Sequence, residues 1–261
     1  MCKTSSSQQV ITNSVTVGAK AALSNDDKVA QLVALKDKLP DNITVQVFDK
    51  AFYDTLGSDE LKTRFLKCLD SGRENHDSGM GCYANNPTDY EDFKPFFKAA
   101  LESYHKVDLS VKKHTNNWEL AGIEGLPESG NLDLSDFGLP ALSMRVRTGR
   151  NLNKYPLPGS MSKDDRVNLE LEMGKVFEKL ISQPEFGGRY VSITPGHTNF
   201  IDAAEYDKLV ADHIMFKNMD DDAYLKVAGI ASDWPFGRGC YISEDRGFII
   251  WVGEEDHLRI M

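Results

Sequence analysis

Several features that mark other classes of protein are absent from this 261-residue sequence. It has no apolar run near the ~20 residues that a transmembrane helix needs. The first 22 residues are polar and rich in Ser and Thr, without the apolar core of a secretory signal peptide. Its four cysteines are scattered and form no CxxC pair, so they indicate neither a zinc site nor a disulfide framework. These absences predict a cytoplasmic protein that spans no membrane.

The common nucleotide and metal motifs are missing as well. There is no GxxxxGKS/T, GxGxxG or HExxH segment, and the six histidines do not pair at metal-ligand spacing. Basic charge is scarce, because 30 Lys and Arg residues face 40 Asp and Glu residues for a formal net charge of −10. That balance argues against a nucleic-acid partner, since phosphate backbones attract basic surfaces. Phosphate chemistry would therefore depend on local groups of arginines, and we expect no protein-bound metal.

The chain divides into four stretches of different character. Residues 1–23 are predicted to be a flexible tail, and residues 24–107 a helical domain with a first helix over Asn25–Leu39. Residues 108–139 are rich in Gly, Pro, Asn and Ser, which is typical of a linker. Residues 140–261 combine amphipathic helices with alternating strands. The predicted fold class is α+β: a small helical N-terminal domain, then an antiparallel sheet flanked by helices, incomplete in this chain.

Two arginines lie close together in a segment with strand-like alternation. From Leu142 to Arg147 apolar and polar side chains alternate, so Arg145 and Arg147 would share one strand face with the hydroxyl of Ser143. Paired guanidinium groups suit the oxygens of a polyphosphate, and Arg150 could extend the patch. The alternative is a solvated strand face whose charges bind nothing.

The chain closes on a predicted hairpin followed by a charged strand. Strands are expected over residues 240–242 and 248–253, with a turn at 244–247. If the second strand continues, Glu255 and Arg259 lie on one face, where a carboxylate beside a phosphate site could orient a nucleophile or accept its proton. An ordinary charged strand end is the alternative.

A glycine-rich segment lies between two of the predicted helices. It runs from Asp77 to Tyr83 as Asp-Ser-Gly-Met-Gly-Cys-Tyr. Gly79 and Gly81 permit close approach to main-chain N–H groups, and a run of such groups can bind a carboxylate. The alternative is a plain turn between helices.

Three segments of the second half together resemble one known family. They read Ser143-Met-Arg-Val-Arg-Thr-Gly-Arg150, Trp234-Pro-Phe-Gly-Arg-Gly239 and Glu254-Glu-Asp-His-Leu-Arg259. Their order and approximate spacing are similar to those of the phosphagen (ATP:guanido) kinases. The segment from Asp77 to Ala84 resembles the guanidino-specificity loop of the arginine kinases in that family. The similarity extends from about residue 25 to the last residue.

The resemblance implies reversible transfer of the γ-phosphoryl group of MgATP to a guanidino group, with L-arginine as the expected acceptor. ATP or ADP would be the co-substrate, and Mg²⁺ would be carried on the nucleotide. No nucleic-acid or membrane partner is implied, and the protein would be a monomer or a homodimer. Taurocyamine and lombricine are alternative acceptors. A bacterial protein-arginine kinase and a non-catalytic ATP-binding protein are alternative interpretations.

The same resemblance implies roles for individual residues. Glu255 matches the catalytic carboxylate that holds the guanidinium. The positions that match the nucleotide site are Ser143, Met144, Arg145, Val146, Arg147, His213 and Arg259. The positions that match the substrate loop are Ser78, Gly79, Met80, Gly81 and Tyr83. Arg238 is typical of the family but is given no role.

Family members continue well beyond the position that matches Met261, so we interpret the chain as truncated at its C-terminus. It would then lack further phosphate-binding arginines, a reactive cysteine and a second catalytic carboxylate. We therefore expect residues 1–261 alone to be inactive. We also expect them to be only marginally stable, because the strand ending at Arg259 would lose its neighbours.

Overall fold

A computed structural model describes residues 23–115, 119–140 and 145–261 of the chain. Within these ranges the first half is helical, and none of the described helices is long and apolar enough to cross a bilayer. The helices of the first half are α1 (Asn25–Leu35), α2 (Ile43–Val47), α3 (Lys50–Asp54), α4 (Asp59–Glu74), α5 (Asp89–Asp92) and α6 (Lys94–His105).

The longest helix of this half, α4, organises its core. The hydroxyl of Ser58 accepts a hydrogen bond from the N–H of Leu61 and so caps the helix. Phe65 is fully buried and contacts the rings of Phe93 and Phe96 at centroid distances of 5.1 and 5.3 Å. This aromatic cluster holds α4 against α6.

The first helix is shorter than the sequence predicted. Its N-cap is Ser24 rather than Asn25, because Ser24 and Asp27 form a reciprocal capping box. The helix ends at Leu35, four residues before the predicted end at Leu39.

The second half is an antiparallel sheet with helices on both faces. Its five described strands lie in the order β1-β5-β4-β3-β2. The strands are β1 (Thr148–Arg150), β2 (Arg189–Ser192), β3 (Gly239–Ile242), β4 (Ile249–Val252) and β5 (Leu258–Ile260), and the helices are α7 (Lys163–Ile181), α8 (Ala203–Ala211) and α9 (Ala223–Val227).

Alternate side chains of β3 and β4 pack into two different hydrophobic cores. Cys240 and Trp251 belong to the core formed with α8 and α9, whereas Tyr241 and Ile250 belong to the core formed with α7. A sheet buried on both faces between helices is the predicted arrangement, and the α+β fold class is therefore confirmed.

The strand predicted over residues 142–147 is wrong for the part that the structure describes. Residues 141–144 lie outside the described residues, and residues 145–147 are not in a strand. The strand β1 begins at Thr148, which pairs with Ile260 of β5. Val146, which the alternation assigned to a buried face, is 80% exposed. Alternation records a local pattern, whereas a strand also needs a partner within hydrogen-bonding reach.

The hairpin at the end of the chain matches β3 and β4, but the second strand does not continue as predicted. It stops at Val252, where Gly253 takes φ +72°. A Cβ at Gly253 would lie 2.4 Å from the carbonyl oxygen of Gly237, so only glycine fits. Residues 254–257 form a turn, and β5 begins at Leu258. Glu255 therefore lies on this β4–β5 turn and not on the face of a continuous strand.

The two halves meet where α4 packs against α9. The hydroxyl of Ser71 donates to the carbonyl oxygen of Tyr224 at 3.2 Å. Nearby, Lys67 Nζ and Ser160 Oγ are 2.9 Å apart. The glycine-rich segment that follows α4 is thereby held next to α9. The described residues 119–140 contain one short 3₁₀ turn, Leu134–Phe137.

Candidate functional site

A cavity of about 290 Å³ opens beside the β4–β5 turn. Lysine and arginine outnumber acidic residues in its lining, so the cavity suits an anionic ligand. Its charged and histidine lining residues are Arg145, Arg147, His213, Lys217, Asp222, Glu254 and Arg259. The two arginines of the predicted strand thus reach one cavity without sharing a strand.

Arg259 is the best-anchored cation of this cavity. It forms ion pairs with Glu254 at 2.9 Å and with Glu255 at 2.7 Å, and its guanidinium lies 5.7 Å from the ring centroid of Trp251. The pKa of Glu254 is raised, because the effect of burial outweighs the opposing effect of the nearby Arg259 charge. Because β5 carries Arg259 and the β4–β5 turn carries both carboxylates, the hairpin itself brings the three groups together.

A buried arginine holds the start of this turn through hydrogen bonds to main-chain carbonyl groups. Arg238 is fully buried, and its Nε donates to the carbonyl oxygen of Gly253 at 3.0 Å. Its other two nitrogens donate to the carbonyl oxygens of Phe236 and Ile230. Burial, together with the charge of Arg166, lowers the pKa of Arg238 to about 9. Arg238 therefore fixes the end of β4 rather than facing the cavity.

His257 ties the same turn to the segment after β1. Its Nδ1 accepts a hydrogen bond from the N–H of Leu152 at 2.9 Å, so its Nε2 carries the hydrogen and donates to the carbonyl oxygen of Pro156 at 2.9 Å. The N–H of His257 donates to Oδ1 of Asn151. Burial lowers the pKa of His257. The neutral ring therefore forms a hydrogen bond through each nitrogen and fixes the chain between Glu255 and Arg259.

The opposite wall of the cavity follows α8. His213 takes φ +58° after the helix, and its carbonyl oxygen accepts a hydrogen bond from Arg145 Nη2 at 3.4 Å. Trp251 Nε1 donates to the carbonyl oxygen of Ile214 at 2.6 Å, which fixes this wall to the sheet. His213 thus lines the cavity together with Arg145.

The glycine-rich loop is attached to the helices through its carbonyl groups. The carbonyl oxygens of Gly79 and Gly81 accept hydrogen bonds from the N–H groups of Ile43 and Gly72, at 3.0 and 2.7 Å. The carbonyl oxygen of Met80 accepts two bonds from Thr44. No described residue accepts a hydrogen bond from the N–H groups of residues 79–81. Gly81 is buried, whereas Gly79 and Met80 are not, so the N–H groups of these two residues are available to a small anion.

Tyr83 connects the loop to the β4–β5 turn. Its ring packs against the core that contains Trp251. Burial, followed by the charges of Glu255 and Asp222, raises the pKa of Tyr83 to about 12. The phenol is therefore a hydrogen-bond donor at neutral pH, and the two carboxylates lie close enough to act on it. The fold in this way brings the substrate-loop candidates near Glu255.

Not every predicted site residue joins this arrangement. Ser143 and Met144 lie outside the described residues, and the side chain of Val146 does not line the cavity. Arg150 does not extend the arginine patch, because it folds back onto Thr148 and the carbonyl of Gly149.

Sequence reasoning missed Lys217, Asp222 and Glu254, which also line the cavity. Glu254 could have been found as the neighbour of Glu255. Asp222 ends an acidic run that carries no chemical signature of its own. Among the described residues, no group of three or more His, Cys, Asp or Glu side chains is arranged to bind a metal ion.

Comparison with known proteins places this geometry in a family. The sequence model of the ATP:guanido phosphotransferase N-terminal domain matches residues 40–102, and the model of the C-terminal catalytic domain matches residues 168–261. The chain belongs to the ATP:guanido phosphotransferase family. The first matched range holds α4 and the glycine-rich loop, and the second holds all of the sheet except β1.

Curated relatives in the family are arginine kinases. The arginine kinase of Turbo cornutus is 37% identical over 196 residues, which cover 74% of this chain and 50% of that protein. The arginine kinase of Haliotis madaka is 34% identical over 236 residues, which cover 87% of this chain and 58% of that protein. The chain thus spans about half the length of the curated relatives it matches.

Solved structures with the same fold include a taurocyamine kinase of Schistosoma mansoni with bound transition-state-analogue components. It matches with a TM-score of 0.74 and 26% identity, covering 92% of this chain and 32% of that chain. A lombricine kinase matches with a TM-score of 0.56 and 20% identity, covering 80% of this chain and 56% of that chain. The lombricine kinase supports the fold alone.

Proposed function

We propose that the protein containing this chain transfers the γ-phosphoryl group of MgATP reversibly to a guanidino group, with L-arginine as its preferred acceptor. The observation that carries the proposal is the ion pair between Arg259 and Glu255 at an arginine-lined cavity. One partner of this pair can bind an anion and the other a cation. Phosphoryl transfer to a guanidinium requires both kinds of group side by side.

The nucleotide half of the proposed site consists of Arg145, Arg147, His213 and Arg259. Phosphoryl transfer needs mainly alignment of the reactants and neutralisation of phosphate charge. Each charge-assisted hydrogen bond from an arginine contributes about 1.5–3 kcal/mol. Mg²⁺ would arrive on the nucleotide with phosphate and water ligands, and it would neutralise charge between the phosphates. The excess of cations in the cavity fits such a ligand.

The acceptor half of the proposed site centres on Glu255. A protonated guanidinium is a poor nucleophile, so a carboxylate must orient it and accept a proton. In the forward step an acceptor nitrogen bonds to the γ-phosphorus, the bond from that phosphorus to the β–γ bridging oxygen breaks, and ADP leaves with that oxygen. The guanidinium proton goes to the carboxylate. On substrate binding, Glu255 would exchange Arg259 for the guanidinium, and Arg259 would bind the γ-phosphate.

The far end of the acceptor is assigned to the glycine-rich loop. The N–H groups of Gly79 and Met80 have no acceptor among the described residues and fit a carboxylate, and Ser78 and Tyr83 belong to the same loop. Arginine is preferred in this proposal because the curated relatives at 34–37% identity are named arginine kinases. We further propose that residues 24–107 and 140–261 are the two domains of this enzyme, joined by residues 108–139.

The test is a coupled ADP-release assay across L-arginine, taurocyamine, lombricine and creatine. Because the chain spans half the length of its relatives, two proteins are assayed. One is residues 1–261, and the other, called here the extended protein, joins Met261 to the part of the Turbo cornutus arginine kinase that follows its matched region. We expect the extended protein to use L-arginine far better than creatine. Preference for creatine, or no transfer to any guanidino compound, would overturn the proposal.

The proposed role of Glu255 is tested with the variant Glu255→Gln in the extended protein. It keeps the shape of the side chain but removes the charge that holds the guanidinium. We expect kcat to fall by about 10²–10⁴, the usual contribution of a general acid or base. ADP binding, measured by calorimetry, should be retained. Unchanged turnover would remove Glu255 from the proposed mechanism.

A further inference from the structure

Asp222 presents one carboxylate oxygen that the fold does not use. Its Oδ1 caps α9 by accepting hydrogen bonds from the N–H groups of Tyr224 and Leu225, at 2.9 and 3.0 Å. Among the described residues, its Oδ2 has no hydrogen-bond or ion-pair partner. The carboxylate lines the same cavity as Arg259. A cap needs only one oxygen, so the second is free to bind a ligand.

The position of Asp222 is fixed relative to the glycine-rich loop. The residue lies at the start of α9, which packs against α4. Ser71 of α4 donates to the carbonyl oxygen of Tyr224 at 3.2 Å. The hydroxyl of Tyr224 in turn donates to Asp77, at the start of the loop, and this bond raises the pKa of Tyr224. Asp222 therefore lines the cavity and lies two residues before the tyrosine that is linked to the start of the loop.

The charge of Asp222 also acts on Tyr83, at the end of the loop. After burial, the charges of Glu255 and Asp222 are the largest causes of the raised pKa of Tyr83. Two carboxylates thus act on the same phenol. In the proposed function Glu255 holds the guanidinium and the loop holds the carboxylate at the other end of the acceptor. Neither of these two roles accounts for the carboxylate of Asp222.

We propose, on the basis of the proposed function, that Asp222 binds the α-ammonium group of a guanidino amino acid and so selects acceptors of that class. In L-arginine the ammonium and the carboxylate are attached to one carbon. A loop that binds the carboxylate therefore brings the ammonium within a few ångströms of the loop. Taurocyamine has no ammonium, and its sulfonate would meet an uncompensated anion at this position. Asp222 then favours one class of acceptor and disfavours the other.

The discriminating pair of acceptors is L-arginine and 5-guanidinopentanoic acid, which is arginine without its α-amino group. The discriminating variant is Asp222→Asn, because asparagine can keep the cap through its side-chain oxygen and loses only the charge. In the extended protein we expect kcat/KM for L-arginine to exceed that for the desamino acceptor by about 10- to 100-fold, the factor of one charge-assisted hydrogen bond. Asp222→Asn should remove most of that ratio, through KM for L-arginine.

Asp221→Asn is the matched control, since Asp221 belongs to the same acidic run but does not line the cavity. It should leave the ratio unchanged, and KM for ATP should be unchanged in both variants. If Asp222→Asn keeps the full preference for L-arginine, or lowers kcat/KM for both acceptors equally, Asp222 is only a helix cap and the inference is overturned. If the unsubstituted extended protein transfers phosphate to no guanidino compound, the proposed function itself fails and this inference fails with it.

Discussion

The attraction between an arginine and a phosphate is stronger where the surrounding protein excludes water. Arg145 and Arg147 both line the cavity, although neither is in a strand. We expect Arg145→Ala or Arg147→Ala to lower kcat of the extended protein by about 10²–10³, the usual loss for one charge-stabilising donor. The measurement is steady-state kinetics with saturating ATP and L-arginine.

Arg150 provides the control for this pair. It lies in the same short segment, but its guanidinium bonds to Thr148 and to the carbonyl oxygen of Gly149 outside the cavity. Arg150→Ala should keep kcat within about twofold of the unsubstituted protein. Wild-type turnover in both Arg145→Ala and Arg147→Ala would mean that these charges are only solvated.

His257 makes a second prediction at the residue scale, this time for stability. Burial lowers the pKa of His257, so the ring stays neutral in the folded chain at a pH where it binds a proton in the unfolded chain. The free energy of unfolding therefore falls as the pH drops through the ordinary histidine pKa of about 6.5 and towards the lower folded value. For one proton the slope is at most about 1.4 kcal/mol per pH unit.

Urea unfolding at pH 7.5 and pH 5.5 measures this effect. His257→Gln removes the titrating ring, so its stability should fall less between the two pH values than that of the unsubstituted chain. Equal losses in the two proteins would mean that the ring is not held neutral by burial. The comparison uses the difference between proteins because other groups also titrate in this range.

At the scale of elements, the glycine-rich loop depends on one glycine far more than on the other. Gly81 takes φ +73°, and a Cβ there would lie 2.5 Å from Cα of Gly72, whereas a Cβ at Gly79 would meet nothing within 4 Å. We expect Gly81→Ala to lower the free energy of unfolding by about 1–3 kcal/mol from backbone strain and crowding. Gly79→Ala should change it by less than about 1 kcal/mol, and chemical denaturation measures both. Equal stability of the two variants would show that the α4 backbone can move away from the loop.

The sequence predicted the elements well where the pattern of side chains is itself the cause of the structure. The hairpin β3–β4 followed from the alternation of its side chains, which acts locally. The predicted strand at residues 145–147 and the continued strand beyond Gly253 did not, because both depend on distant contacts. Thr148 has its partner in Ile260, and Gly253 bends because the carbonyl of Gly237 is close.

The candidate site divides in the same way. Arg145, Arg147, His213, Arg259 and Glu255 were found because short motifs resemble a family, and the fold gathers them around one cavity and its adjoining turn. Asp222 and Lys217 could not be found from the sequence, since they reach the cavity only through the packing of α9 and the segment after α8. Arg238 carried a family motif, but its partners are backbone carbonyls that no motif encodes.

At the scale of the whole molecule, the structure changes the expectation for residues 1–261 alone. The sequence alone predicts marginal stability, because the strand that ends at Arg259 would lose its neighbours. In the structure β5 lies between β1 and β4, and Ile249 and Trp251 are at most 7% exposed. The edge strands of the described sheet are β1 and β2, so β5, which carries Arg259, is not an exposed edge strand. We therefore expect the 261-residue chain to melt in a cooperative transition.

Turnover is a separate question, because it depends on how completely the γ-phosphate is surrounded. Transfer requires both reactants to be aligned by cations and carboxylates on both sides of the γ-phosphate. The described residues supply Arg145, Arg147, Arg259 and Glu255, in a chain that matches only about half the length of its curated relatives. We expect residues 1–261 to give no measurable transfer to L-arginine while the extended protein does, with calorimetric melting of each protein measured alongside. Transfer by the 261-residue chain at a rate near that of the extended protein would mean that these residues suffice, and that the remaining charge at the γ-phosphate is neutralised from within this cavity by groups such as Lys217.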